Sequence, residues 1–150
     1  QVDPAHREDY RQNAASYIQK LDKLELKLTA QLASVPAPQR KVITPHDAFA
    51  YFARDFNVTF LAPQGTSTEY EANAADVAAL IKQIKHENVK AVFVENIADN
   101  RLIEQISRET DAKIGGKLYS DALSSADKPA ATYLQMMQYN VDTITGALKD

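Results

Sequence analysis

The 150-residue chain contains no cysteine. Disulfides, thiolate metal sites and cysteine nucleophiles are therefore excluded, and the absence suits an oxidising compartment. No apolar run approaches the ~20 residues of a membrane-spanning helix. There is no basic cluster and the net charge is −3. Binding driven by phosphate charge is not expected, so no nucleic-acid partner is expected. Internal repeats, low-complexity tracts, a dinucleotide fingerprint, a phosphate loop and a nucleophile elbow are all missing. No secretory signal opens the sequence, and its first residue is Gln1 rather than Met. The expectation is a part of a larger protein whose true start has been removed.

What remains is an ordinary globular composition, 45% hydrophobic and 25% charged. The length allows one domain with a real core. Lys41–Phe56 (KVITPHDAFAYFARDF) organises the rest. A β-branched run, Val42-Ile43-Thr44, breaks at Pro45. Helical spacing follows, with Phe49, Phe52, Ala53 and Phe56 on one side. His46 sits at the junction of strand and helix. In an open parallel sheet, ligands bind at the carboxyl ends of strands, where such junctions lie.

Before this stretch, Asp3 is placed to cap a helix and Pro4 to begin it. Tyr10, Ala14, Tyr17, Leu21, Leu24, Leu28 and Leu32 recur at steps of three and four, which predicts one long helix with a continuous apolar stripe to about Ser34. Pro36-Ala37-Pro38 stops it. A division follows: residues 1–38 as helix and proline-rich stop, residues 39–150 as the compact unit. Asn57–Ala62 predicts a second strand. Gln64–Tyr70 (QGTSTEY) is a polar loop. Ala74, Val77, Ala78, Ile81 and Ile84 share one face of the next helix, ended by His86-Glu87-Asn88. Val89–Val94 (VKAVFV) is the most apolar run and predicts a buried parallel strand. Asp99 is placed to cap a helix containing Leu102, Ile103 and Ile106. Ala112–Leu118 predicts a fourth strand, weakened by Gly115-Gly116. A loop to Ala130 precedes a last helix, with Tyr133, Met136, Met137, Asn140, Val141 and Ile144 facing inward. The alternation predicts an α/β fold: a long N-terminal helix, then a four-stranded parallel sheet with helices on both faces.

Three chemically useful side chains follow three different strands: His46, Glu95 and Asp121. Parallel strands put all three turns on one edge of the sheet. Imidazole nitrogen with carboxylate oxygen suits Zn²⁺, Mn²⁺ or Fe²⁺. A tetrahedral site takes about four donors, so further donors must come from elsewhere. Structural readings stand beside these. A histidine after proline can simply donate to a turn, Asp121 can cap a turn or helix, and Glu95 can pair with Arg101 or cap a helix. His86 suits the last turn of a helix as a cation, His6 reads as solvated, and Met136-Met137 as core.

These segments together resemble a family. PHDAFAYFARDF, QGTSTE, VFVEN with DNR after it, and LYSDAL, in this order, resemble the C-terminal lobe of the zinc- and manganese-binding solute-binding proteins of bacterial ABC importers. DPAHREDYRQNAASYIQKLDKLELKL resembles the long helix linking that family's two lobes, and YLQMMQYNVDTITGALK its terminal helix. The resemblance implies a periplasmic or otherwise extracytoplasmic protein, with a lipid anchor on the full-length protein as one form of attachment, that is not an enzyme. It implies one ion held between two lobes and passed to a permease in the cytoplasmic membrane. Two histidines would come from the N-terminal lobe, which this sequence lacks. Its own ligands would be His46 and Asp121. Histidine at the first position points to zinc, with manganese as the alternative. Glu95 falls on a recurrent position behind the ligands; Glu95 and Asn96 are candidates for fixing the imidazole tautomer. Metal binding would then release protons and weaken in acid. Small shifts around Gln64–Tyr70 and Leu123–Lys128 are expected to accompany release. Two other classes share the alternation of strands and helices. A receiver-like signalling domain wants an acidic pair after its first strand, where His46-Asp47 stand. A metal-dependent hydrolase needs an open coordination position and a base, for which Glu95 would serve.

Overall fold

The computed structural model describes residues 3–63 and 73–149. A single 3₁₀ turn, Pro4–His6, leads into helix α1, Arg7–Ala33. Strand β1 is Lys41–Ile43, helix α2 Ala50–Phe56 and strand β2 Thr59–Leu61. Helix α3 runs Ala74–Glu87, strand β3 Ala91–Glu95 and helix α4 Arg101–Glu109. Strand β4, Lys113–Leu118, and helix α5, Tyr133–Lys149, complete the fold. All pairings are parallel and the strand order is β2-β1-β3-β4. The predicted α/β architecture is the observed one. The polar loop Gln64–Tyr70 lies outside the described residues.

The strand order places a topological switch between β1 and β3. The chain leaves β1 toward one edge and β3 toward the other, which opens a crevice at their carboxyl ends. Two apolar layers sandwich the sheet. On one face, Val42, Ala91, Phe93 and Leu118 pack against Leu28 and Leu32 of α1, Phe52 of α2, and Val141, Ile144 and Leu148 of α5. On the other, Ile43 and Val92 pack against Leu80 and Ile84 of α3 and Ile103 and Ile106 of α4. Alternating residues of β1 and β3 thus feed opposite layers, so Val42-Ile43 and Ala91–Val94 are continuous apolar runs.

Three expectations need correction. The α1 stripe is buried only at Leu28 and Leu32, while Tyr10 and Tyr17 are exposed, because no layer of this chain reaches the first half of the helix. Asp3 does not cap it; its carboxylate accepts a hydrogen bond from the Tyr10 hydroxyl at 2.7 Å. In α3 the buried face is Val77, Leu80 and Ile84, with Ala74 and Ala78 outside, because the larger Leu80 takes the core position. Tyr133 likewise lies exposed at the start of α5, before that helix meets the sheet.

The glycine pair in β4 has a defined purpose. Val92 pairs with Ile114 and Phe93 with Gly116, so Gly115 is the extra residue of a bulge. A Cβ on Gly115 would sit 2.5 Å from Ala147 Cβ of α5 and 2.8 Å from Phe93 Cε1. Gly116 has φ +141°, a region that L side chains rarely adopt. The pair bends β4 and lets α5 lie directly on it.

Candidate metal centre

Three turns at the carboxyl edge build the site. After β1, Pro45 interrupts the strand, and the His46 carbonyl accepts from the Thr44 hydroxyl and from Ala48 N, both at 3.1 Å. This tight turn aims the His46 side chain along the sheet edge rather than into solvent. The residue is 1% exposed. Glu95 ends β3 at the switch point, and its side chain is fully buried. Asp121 lies beyond β4 with its side chain 60% exposed.

These three side chains form one line. Glu95 Oε1 lies 3.0 Å from His46 Nδ1, and Asp121 Oδ2 lies 3.1 Å from His46 Nε2. Glu95 Oε2 also approaches Nδ1, at 2.9 Å, but without the alignment of a hydrogen bond, so that buried oxygen has no directed donor. Glu95 Oε1 additionally faces the His46 backbone N–H at 3.4 Å. If Glu95 is ionised it only accepts, and Nδ1 then carries the proton toward it. A neutral imidazole then turns the Nε2 lone pair toward Asp121 Oδ2. Two acceptors 3.1 Å apart repel unless a cation lies between them. That cation is either a proton or a metal ion. Two donors of a tetrahedral zinc site, each ~2.0–2.1 Å from the ion, stand about 3.3 Å apart. The observed separation fits that spacing closely. A buried carboxylate behind the imidazole, its other ring nitrogen and an exposed carboxylate opposite are the group types that a carboxylate–histidine–metal arrangement uses.

Among the described residues, no group of three or more His, Cys, Asp and Glu side chains is assembled for a metal ion. His86 is exposed at the end of α3, and His6 is exposed with Nδ1 3.3 Å from Asp9. Glu95 faces His46, while Arg101 bonds the Asp99 carboxylate at 2.7 Å through Nε. Asn96 does not fix the imidazole. Its amide accepts from Ser120 N at 3.3 Å and donates to the Ala122 carbonyl at 3.1 Å, on either side of Asp121.

Two further asparagines are not among the expected site residues, although Asn140 is expected on the inner face of the last helix. Asn100 accepts from Glu95 N at 2.9 Å and donates to the Glu95 carbonyl at 3.1 Å. Asn140, 1% exposed on α5, accepts from Tyr119 N at 3.0 Å and donates to the Tyr119 carbonyl at 2.8 Å. The available signal was Asn140 itself, a lone amide within an apolar helical face. Buried polar groups are almost always partnered.

With this geometry in place, comparison with known proteins is decisive. Residues 1–147 match the family described as ZnuA, zinc-uptake complex component A, periplasmic. The chain belongs to this family. Similar members of the ZnuA family include the zinc-binding protein TroA of Treponema pallidum, 35% identical over 97% of this chain and 49% of its own length. The manganese-binding lipoprotein MntA of Bacillus subtilis is 34% identical over 97% and 49% respectively. The iron-binding protein YfeA of Yersinia pestis is 34% identical over 95% and 46%. The solved structure of the Treponema pallidum periplasmic zinc-binding protein TroA superimposes with a TM-score of 0.92 at 34% identity, covering 98% of this chain and 55% of that one. The chain thus spans about half the length of the ZnuA-family relatives it matches. Membership separates it from the receiver-like domains weighed above. Among the described residues no helix is long and apolar enough to cross a membrane.

Proposed function

We propose that this chain is the C-terminal lobe, with its linking helix, of the solute-binding component of a divalent-metal ABC importer. Residues 1–38 are the link, and residues 39–150 the metal-binding lobe. The lobe works outside the cytoplasmic membrane and performs no chemistry on its cargo. His46 Nε2 and Asp121 supply two donors, and Glu95 holds the imidazole. An N-terminal lobe supplies the remaining donors, and a permease in the cytoplasmic membrane receives the ion. Several things support the reading: the family, the half-length match, and relatives named for zinc, manganese and iron. The observation that carries it is the 3.1 Å approach of His46 Nε2 to Asp121 Oδ2, with a buried carboxylate on the other ring nitrogen.

Zinc is the favoured cargo, with manganese the alternative. The donor set is one imidazole and one carboxylate, and a nitrogen donor favours zinc over the oxygen-preferring manganese. The test is titration with Zn²⁺ and Mn²⁺ in turn, on the two-lobed protein that contains this chain and on its His46→Ala and Asp121→Ala variants. The expected result is a preference for Zn²⁺ and a loss of about tenfold or more in each variant. Unchanged affinity in both variants removes the site.

A further inference from the structure

We propose that Asn140 and Asn96 are positioning residues that lock the Asp121 turn, so that its carboxylate meets the ion in a fixed place. The inference rests on the site reading above and extends it to side chains that never touch the ion. Asp121 needs such help. It is exposed, it lies past the end of β4, and α5 begins only at Tyr133. A carboxylate on an unsupported turn must be immobilised when metal binds, and that ordering opposes binding.

The two asparagines supply the support. A primary amide offers a carbonyl acceptor and an NH₂ donor, and so can pair with both the N–H and the C=O of a backbone. The β3–β4 ladder ends at Glu95 and Leu118, and Asn96 N still donates to the Leu118 carbonyl at 3.2 Å. Beyond that point side-chain amides replace the missing strand. Asn140 holds both backbone groups of Tyr119, at 3.0 and 2.8 Å. Asn96 holds Ser120 N and the Ala122 carbonyl, at 3.3 and 3.1 Å. Four hydrogen bonds, to the backbone of Tyr119, Ser120 and Ala122, therefore bracket Asp121. Asn100 grips both backbone groups of Glu95 in the same way. The same device thus secures the two strand ends that carry the site's carboxylates.

Packing does not explain Asn140. Its buried neighbours on α5, Met136, Val141 and Ile144, are apolar, and an apolar residue would fill the same face. The amide is satisfied by Tyr119, and its base is a regular helix rather than a loop. That helix is itself tied to α1 by Gln31 Nε2, which donates to Asp142 Oδ1 at 2.7 Å and Thr145 Oγ1 at 3.1 Å. Rigid elements hold a site more accurately than loops do.

The test is a double-mutant cycle on the 150-residue chain, with Zn²⁺ alone as probe and backbone ¹⁵N relaxation as second readout. Asn140→Ala is expected to lower Zn²⁺ affinity about tenfold. In an Asp121→Ala background the same change is expected to have less than a twofold effect, because the asparagine acts only through Asp121. In the metal-free chain, backbone order at residues 119–122 is expected to fall from about 0.85 toward 0.6. Asn96→Ala, at a half-exposed site that spares the core, is expected to behave likewise, and it decides the matter if Asn140→Ala does not fold. Equal losses in both backgrounds, or unchanged order at 119–122, overturn the proposal. If Asp121→Ala alone leaves Zn²⁺ affinity unchanged, the site reading fails instead, and the relaxation data still decide whether the turn is clamped.

Discussion

His46 is asked to face two carboxylates at once, and its chemistry follows from their unequal surroundings. Glu95 is sealed from water and Asp121 is not. Under the proposed function the buried carboxylate holds Nδ1–H, and the exposed one meets the cation. Glu95→Ala should therefore weaken Zn²⁺ binding by about 10- to 100-fold, while Glu95→Gln, which keeps an acceptor for Nδ1–H, should lose less. Competition titration of both variants checks the order. A second charge pair tests the acid limb of stability. Lys41 Nζ donates to Glu87 Oε2 at 2.8 Å, joining β1 to the end of α3. This bond, with a second donor from Gln83, holds the Glu87 carboxyl below the usual range. A depressed carboxyl stabilises the fold above its unfolded value and loses that contribution as pH falls through its folded one. Lys41→Met should lower stability at neutral pH by a small amount, and its curve should converge with the parent's in acid. Denaturant unfolding across the acid range measures this. His46 and Asp121 were legible from residue type and position after strands. The asparagines were not, because the sequence does not show which backbone groups are left over when a ladder ends.

Helices and strands were legible wherever one periodicity dominated. β3 is a continuous apolar run, and it lies at the centre of the sheet with both faces covered. The α1 stripe misled for a physical reason: periodicity marks a face able to be buried, and this chain buries only its last part. Residues Arg7–Lys20 are all exposed. An isolated helix of that length is marginal in water. Amides in the first half of α1 should exchange with solvent well before those of residues 24–33, as hydrogen exchange would show. The glycines of β4 were read as a weakness, yet they are what the α5 contact requires. Gly115→Ala should destabilise the fold by about 1–3 kcal/mol, since the new methyl must displace Ala147 and Phe93. Gly146→Ala, where a Cβ meets nothing within 4 Å, is the matched control. Chemical denaturation of both variants separates crowding from a general intolerance of alanine.

For the molecule as a whole, alternation of strands and helices predicted the class but not the strand order. The order β2-β1-β3-β4 depends on which helix crosses which face, and that is settled by packing of the two layers rather than by any one segment. It nevertheless decides function. Only with β1 beside β3 do His46 and Glu95 share the switch-point crevice, and only with β4 beside β3 does Asp121 close it. The chain spans about half the length of its relatives, and under the proposed function the remaining donors come from outside it. The most direct measurement is anomalous diffraction at the zinc absorption edge from crystals of this chain grown with Zn²⁺. The account predicts a peak bonded to His46 Nε2 and to an Asp121 carboxylate oxygen, with Glu95 still on Nδ1. A peak on Nδ1, or full zinc occupancy at a place remote from residues 46 and 121 with none between them, would contradict it.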